Sequence, residues 1–234
     1  MYDLSHLLYI AVTLLFMIVF SFLFKNVKPS TRFNILRVIA ALAFLTHISQ
    51  SVYNYFTIAN SSLSDVGWTI YPYYFCNLIM LLLPVLFFGP KIFRKSYPFI
   101  LWGAFFGGMI TMAVPMFYNG GNIFEFGVFK SFVSHSLMIF AFIYAVISGE
   151  YKIKLKDTWV LTAGLLLSGV WGFFTNWLWE VTNRGHANSM WLNEPALEGT
   201  FFNGYVMAGI IVTLVVLTSL LVELIRKRKL IIKN

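Results

Sequence analysis

Seven long, predominantly apolar stretches, separated by short polar connectors, run through the whole chain. We predict helices near residues 5–24, 33–56, 69–89, 98–118, 129–149, 158–180 and 201–225. Each stretch has about the 20 residues that a helix needs to cross the hydrocarbon core of a bilayer. The composition is 59% hydrophobic and only 11% charged, which excludes an ordinary water-soluble fold. We therefore expect an all-α membrane protein, a seven-transmembrane-helix bundle in which residues 1–234 form a single transmembrane domain.

The lysine and arginine residues predict the orientation of this bundle, because short cytoplasmic loops carry an excess of both. Fifteen of the 17 lie on one side, in alternate connectors, at positions 25, 28, 32, 37, 91, 94, 95, 152, 154, 156, 226, 227, 228, 229 and 233. Only Lys130 and Arg184 lie on the opposite side. Six or eight helices would place a basic connector on the wrong side, so the count of seven puts the N-terminus outside and the C-terminus in the cytoplasm.

The net charge of +8 is explained by these connectors rather than by nucleic-acid binding. We expect membrane lipids as partners and no nucleic acid, with the oligomeric state left open. Lysine-rich connectors and a single cysteine are typical of a multi-pass protein of a bacterial plasma membrane. The single cysteine also excludes a disulfide framework and a multi-cysteine metal site within the chain.

Polar side chains concentrate in the outer half of four predicted helices. They are His47, Gln50 and Asn54; Cys76 and Asn77; Ser131, Ser134 and His135; and Thr175, Asn176 and Glu180. Such residues are costly in hydrocarbon, where amides commonly serve as interhelical hydrogen-bonding groups. Hydrogen bonds scattered for packing alone would occupy both halves of the bilayer. The one-sided distribution therefore predicts a polar cavity that opens toward the outer leaflet.

This cluster contains the residue types that acyl transfer requires. A thiolate is a strong nucleophile, but a buried thiol needs an imidazole close by to accept its proton. His135 and His47 are the two candidates for that base. The amides that could stabilise a tetrahedral oxyanion are Asn77, Asn176 and Gln50. Taken alone, Cys76 is also compatible with a small, inert apolar residue.

The segment Tyr71-Pro72-Tyr73-Tyr74-Phe75-Cys76-Asn77-Leu78 resembles the YwaF family of bacterial integral membrane proteins, which has a Leu-Pro-x-x-x-Cys-type motif at the start of its third helix. Further similarities follow in the same order along the chain, at Pro115, Ser134-His135, Thr175-Asn176-Trp177, Glu194-Pro195 and Gly199 to Tyr205. The resemblance spans roughly residues 45–225. This family is similar to eukaryotic membrane proteins regarded as phospholipid acyltransferases that form an acyl-cysteine intermediate.

The resemblance implies that Cys76 is the nucleophile and His135 its base. From the polar cluster itself, Asn176 is predicted as the third catalytic residue, which would stabilise the oxyanion. The predicted substrate-binding residues are His47, Gln50, Asn77, Ser134, Tyr74 and Glu180. Neither a metal nor a cofactor is needed for this chemistry. The family commonly has a histidine two residues before the cysteine, where this chain has Tyr74. That departure leaves open a protein that binds lipid without reacting with it.

A lipid acyltransferase, or transacylase, is the preferred function. One alternative is a non-enzymatic lipid or small-molecule transporter or binding protein. Another is an intramembrane lipid hydrolase, which differs only in using water as the acyl acceptor. A retinal receptor is excluded, because residues 201–225 contain no lysine to form the Schiff base.

Overall fold

The computed structural model describes residues 4–57, 70–114, 118, 122–196 and 198–231, and seven α-helices account for most of them. They are α1 (Leu4–Phe24), α2 (Pro29–Thr57), α3 (Phe75–Phe88), α4 (Tyr97–Ala113), α5 (Phe126–Ile147), α6 (Thr158–Val181) and α7 (Gly204–Ile231). Six of these helices are long and apolar enough to cross a membrane, and α3 is a shorter apolar helix. The predicted helical membrane bundle is therefore confirmed.

Backbone packing divides the chain into two compact units. The first unit extends to Tyr151 and contains α1 to α5, apart from residues 73–75. The second unit contains residues 73–75 together with α6 and α7. That the whole chain is one transmembrane domain stays a prediction.

Helix α5 is the centre of the first unit. Helices α1, α2 and α4 all pack against it. Phe132, Met138 and Tyr144 of α5 are fully buried. A helix that is apolar around most of its circumference is covered by neighbours on several sides, as α5 is here. The polar residues predicted on this helix are therefore enclosed within the first unit.

In the second unit, small residues on α6 make room for the loop that follows it. Gly164, Ser168 and Gly172, which repeat at every fourth position, are all buried. A Cβ atom at Gly172 would lie 2.7 Å from Leu192 Cδ1 and 2.9 Å from Met190 Cγ. The absence of a side chain at Gly172 thus allows the loop to pack directly on the helix.

Helix α3 begins later than predicted, at Phe75 rather than near residue 69, which lies outside the described residues. Residues 71–74 are not helical. Pro72 has no N–H group to continue a helical ladder. The carbonyl oxygen of Tyr73 instead accepts hydrogen bonds from Ser189 Oγ at 2.7 Å and from the Met190 peptide nitrogen at 3.2 Å. The late start places Cys76 in the first turn of α3 instead of inside a longer helix.

The other helices begin and end within a few residues of the predicted bounds. The larger differences are at the start of α2, which begins at Pro29, at the end of α4, which lies at Ala113 rather than near residue 118, and at the end of α7, which continues to Ile231. Proline suits the first turn of a helix, where its missing N–H group has no intrahelical partner. Helix α4 ends at Ala113, and Pro115, which contributes to the sequence resemblance, lies outside the described residues.

Candidate functional site

Cys76 lies at the end of α3 where the peptide N–H groups have no partner within the helix. The hydroxyl of Thr111 in α4 donates to the Gly107 carbonyl of its own helix, at 2.8 Å. The thiol itself donates to Asn77 Oδ1, at 3.6 Å. The N-terminus of a helix stabilises negative charge. Both a thiolate and an oxyanion formed beside it would therefore meet N–H donors at this position.

Two adjacent glycines bring α4 into contact with both Cys76 and the segment of α5 that carries His135. A Cβ atom at Gly107 would lie 3.7 Å from the Cα and Cβ atoms of Cys76 and 3.3 Å from Met138 Cε. A Cβ atom at Gly108 would lie only 2.8 Å from the carbonyl oxygen of His135. A larger residue at the second glycine would push α4 and α5 apart. The glycine pair thus sets how closely these helices pack around the cysteine.

The imidazole of His135 is held in one tautomer by its own helix. Its Nδ1 lies 2.7 Å from the carbonyl oxygen of Ser131, one turn earlier in α5. A carbonyl oxygen can only accept, so Nδ1 carries the proton and Nε2 is the nitrogen able to accept another one. The ring is only 7% exposed. Ser134, a predicted substrate-binding residue, is also buried and donates to the same carbonyl oxygen, at 3.1 Å.

Helix α2 contributes His47, Gln50 and Asn54, the three polar residues that the sequence places on one face. Gln50 Nε2 donates to Asn54 Oδ1 at 2.7 Å, and Gln50 Oε1 lies 3.6 Å from the position that a Cβ atom at Gly127 of α5 would take. His47 is only 7% exposed. Its Nε2 is buried and has no hydrogen-bond partner among the described residues. The polar part of α2 therefore meets the start of α5 and retains one unused hydrogen-bonding nitrogen.

Lys130, in the second turn of α5, is one turn after Gly127, where this helix meets α2. Gln50 Oε1 lies 3.6 Å from the position that a Cβ atom at Gly127 would take, and His47 is one turn before Gln50 in α2. Lys130 therefore begins on the part of α5 that packs against the polar residues of α2. Lys130 was missed as a site residue because the sequence counts it only as a charge on the outer side. The available signal was its position directly before the polar residues 131, 134 and 135 of the same helix.

The remaining predicted site residues, Asn176, Tyr74 and Glu180, belong to the second unit. Asn176 Oδ1 accepts a hydrogen bond from the Ser189 peptide nitrogen at 2.7 Å. Its Nδ2 is buried and has no hydrogen-bond partner in the described ranges. The ring of Tyr74 lies 5.2 Å from that of Trp191, and Glu180 is exposed near the end of α6. Asn176 thus supports the loop that follows α6 while keeping one N–H group able to donate.

Ser189 and Tyr73, which the sequence did not single out, connect this loop to the segment before α3. Besides the two hydrogen bonds to the Tyr73 carbonyl, the Tyr73 hydroxyl accepts one from the Asn188 peptide nitrogen. Ser189 is fully buried. The two segments are 116 residues apart in the sequence, so no local pattern predicts their contact.

A family model described as the TMEM164 family matches residues 1–225 of the chain. Comparisons with curated proteins and with solved structures give no match. The match extends over nearly the whole chain. The YwaF name and the relation to acyltransferases stay predictions.

Proposed function

This chain belongs to the TMEM164 family of multi-pass membrane proteins, and we propose that it is a lipid acyltransferase in which Cys76 is the nucleophile and His135 the base. The observation that carries the proposal is the position of the thiol in the first turn of α3, where the peptide N–H groups have no partner within the helix. The contact of one glycine pair with both Cys76 and the His135 segment supports it further. We also propose a bacterial plasma membrane as its location, because the connectors are rich in lysine.

In the first half of the reaction, the Cys76 thiol gives its proton to Nε2 of His135, and the sulfur attacks the carbonyl carbon of a phospholipid ester. A carbon–sulfur bond forms, and the carbonyl π electrons move to the oxygen to give a tetrahedral oxyanion. When the ester carbon–oxygen bond breaks, the leaving glycerol oxygen takes the proton from His135. The products are a lysophospholipid and acyl-Cys76.

In the second half, His135 accepts the proton of a lysophospholipid hydroxyl, whose oxygen attacks the thioester carbonyl. A second tetrahedral oxyanion forms and collapses as the carbon–sulfur bond breaks. The thiolate then takes the proton back from His135. The acyl chain has moved from one lipid to another, the enzyme has regained its starting state, and no external cofactor has been consumed.

Both oxyanions need hydrogen-bond donors, and the surroundings of Cys76 can supply them. The first peptide N–H groups of α3 have no partner within the helix, and the side chain of Asn77 accepts the thiol hydrogen at 3.6 Å. Loss of one oxyanion donor from an enzyme typically lowers kcat by about 10²–10³. We assign Asn77 this role in the proposed reaction. Asn176, the third predicted catalytic residue, belongs to the second unit, and its role stays a prediction.

The proposed function is tested by reconstituting the purified protein in liposomes with a phospholipid that has a radiolabelled acyl chain and with a lysophospholipid acceptor. Cys76→Ala should abolish transfer of the label, because the covalent intermediate cannot form. His135→Ala should lower the rate by about 10²–10⁴, the usual contribution of a general base. Ser49→Ala is a matched control, since its hydroxyl donates only to the Thr46 carbonyl of its own helix, and should transfer label at the parent rate.

Four further observations separate the proposed function from its alternatives. A hydroxylamine-sensitive acyl group on Cys76 after a brief reaction would support the thioester. Transfer by Cys76→Ala at the parent rate would show that the mechanism is wrong. Release of free fatty acid at the same rate with and without the acceptor would identify a hydrolase instead, and lipid flux that survives the loss of the thiol would identify a carrier.

A further inference from the structure

Lys130 is a cation in a membrane-spanning helix, and the proposed reaction does not use it. Its side chain is only half-buried, but it begins in the second turn of α5, inside the predicted span. The ion pairs found among the described residues are Arg32–Glu150 at 3.2 Å and His186–Glu194 at 3.6 Å, and Lys130 takes part in neither. A charged side chain within a membrane helix is costly unless an opposite charge or water compensates it. Lys130 thus has no carboxylate partner among the described residues, and its half-exposed ammonium group can meet an anion of the lipid.

The groups around Lys130 are suited to an anionic ligand. Helices α2 and α5 pack against each other, and Gln50 Oε1 of α2 lies 3.6 Å from the Cβ position of Gly127, one turn before Lys130, while His47 is one turn before Gln50. His47 Nε2 is buried and has no hydrogen-bond partner among the residues that the structure describes. In the tautomer with a proton on Nε2, this nitrogen donates. A cation and an unused buried N–H donor therefore lie in the same part of the first unit, and both are complementary to an oxyanion.

The spacing along α5 matches the dimensions of a phospholipid. Lys130 precedes His135 by five residues, which is about 7.5 Å along the helix axis. Lys130 is nearer the end of the helix, and His135 is deeper. A phospholipid has the same order of groups along the bilayer normal, with the phosphate at the surface and the ester carbonyls several ångströms below it. A lipid with its ester at Cys76 and His135 would therefore bring its phosphate to the level of Lys130.

We propose that Lys130 and His47 form a phosphate-binding site for the lipid substrate, with the ammonium group pairing with a phosphate oxygen and His47 Nε2–H donating to another. The inference rests on the proposed function for the placement of the ester, but binding itself does not require the reaction. It also makes the phosphate itself a determinant of binding, so a neutral glyceride with the same acyl chains is expected to be a poor substrate.

The test measures lipid binding in the full chain with the Cys76→Ala substitution, so that no acyl transfer takes place. Two probes carry the same fluorescent acyl chain: a phosphatidylglycerol, and a diacylglycerol that lacks the phosphate. We expect Lys130→Gln to weaken phosphatidylglycerol binding at least tenfold and to leave diacylglycerol binding unchanged. Lys130→Arg should keep phosphatidylglycerol binding within about threefold of the parent, because an arginine also pairs with phosphate.

Lys25→Gln is the matched control, since Lys25 is at the end of α1, where its ammonium group lies 4.9 Å from the centroid of the Phe22 ring. This variant should bind both probes as the parent does. Equal loss of both probes in Lys130→Gln, or no loss of either, would overturn the phosphate site. Displacement of phosphatidylglycerol by millimolar inorganic phosphate would assign the site to the free anion and overturn the lipid assignment. Because the thiol is absent, failure here is distinct from failure of the acyl-transfer assay.

Discussion

At the scale of single residues, hydrogen bonds within α5 fix the tautomer and the orientation of the His135 imidazole. Ser131 donates to the Gly127 carbonyl at 2.8 Å, and the Ser131 carbonyl accepts from both Ser134 and His135. In hydrocarbon each of these polar groups would otherwise remain without a partner, at a cost of several kcal/mol. Satisfying them within one helix fixes the histidine tautomer. The general base of the proposed reaction is therefore oriented before any lipid binds.

Gly108 provides a test of the packing that places His135. In Gly108→Ala the new methyl group would meet the His135 carbonyl oxygen at 2.8 Å and Ile139 Cγ1 at 2.6 Å. Since a backbone oxygen cannot move aside as a side chain can, we expect a loss of about 1–3 kcal/mol in stability. Thermal unfolding of the purified protein in detergent measures it. In the control, Gly169→Ala, no atom lies within 4 Å of the new methyl group, and the midpoint should not fall.

At the scale of secondary-structure elements, hydrogen bonds connect the residues just before α3 to the loop after α6. The loop supplies two hydrogen bonds to the Tyr73 carbonyl, in a segment where the chain is not helical. Asn188 Oδ1 in turn accepts from the peptide nitrogens of Asn193 and Glu194, both at 3.1 Å. The loop is therefore internally hydrogen-bonded and acts as a rigid partner for the residues that precede α3.

Ser189→Ala tests this role of the loop. The substitution removes the hydroxyl that donates to the Tyr73 carbonyl at 2.7 Å, so we expect a loss of about 1 kcal/mol and several-fold faster proteolysis between residues 183 and 203. Limited digestion followed by mass spectrometry locates the cuts. Ser168→Ala is the control, because that buried hydroxyl donates only to the Gly164 carbonyl of its own helix. Equal cleavage of the two variants would contradict the proposed role of Ser189.

The positions of the helices could be predicted from the sequence, because an apolar stretch of the right length has few stable structures other than a helix in a bilayer. The start of α3 could not be predicted, since it depends on hydrogen bonds from Ser189 and Met190, more than a hundred residues away. The candidate site likewise has a part that could be predicted from the sequence and a part that could not. Cys76 and His135 stand out as costly polar residues in apolar helices, whereas the position of Lys130 beside the polar residues of α2 requires knowing which faces of α2 and α5 meet.

Across the whole molecule, basic residues gather at one end of each unit. In the first unit, Arg32 donates to the Ser148 carbonyl at 2.7 Å, and the guanidinium groups of Arg37 and Arg94 lie over the Phe33 ring at 4.8 Å and 4.5 Å. In the second unit, Arg226 donates to the Ile153 carbonyl at 2.8 Å. Connectors that the charge pattern assigns to the cytoplasm are thus neighbours within each unit.

The predicted orientation follows from this charge distribution and is tested with reporter fusions. Alkaline phosphatase, which is active only outside the cytoplasm, should be inactive when fused after Asn234 or inserted within residues 91–96. It should be active when inserted at Gly185. Green fluorescent protein fused after Asn234 should fluoresce. Phosphatase activity at the C-terminus would contradict the seven-crossing arrangement.

The shortness of α3 has a consequence for how a lipid would travel. Its 14 residues extend only about 21 Å, against a hydrocarbon core of about 30 Å, so its first turn need not reach the water. A phospholipid that reacts at that depth would arrive by sideways diffusion and depart the same way. Its tails would remain among other tails throughout, and the cost of transferring a chain into water, about 0.8 kcal/mol for each methylene, would never arise.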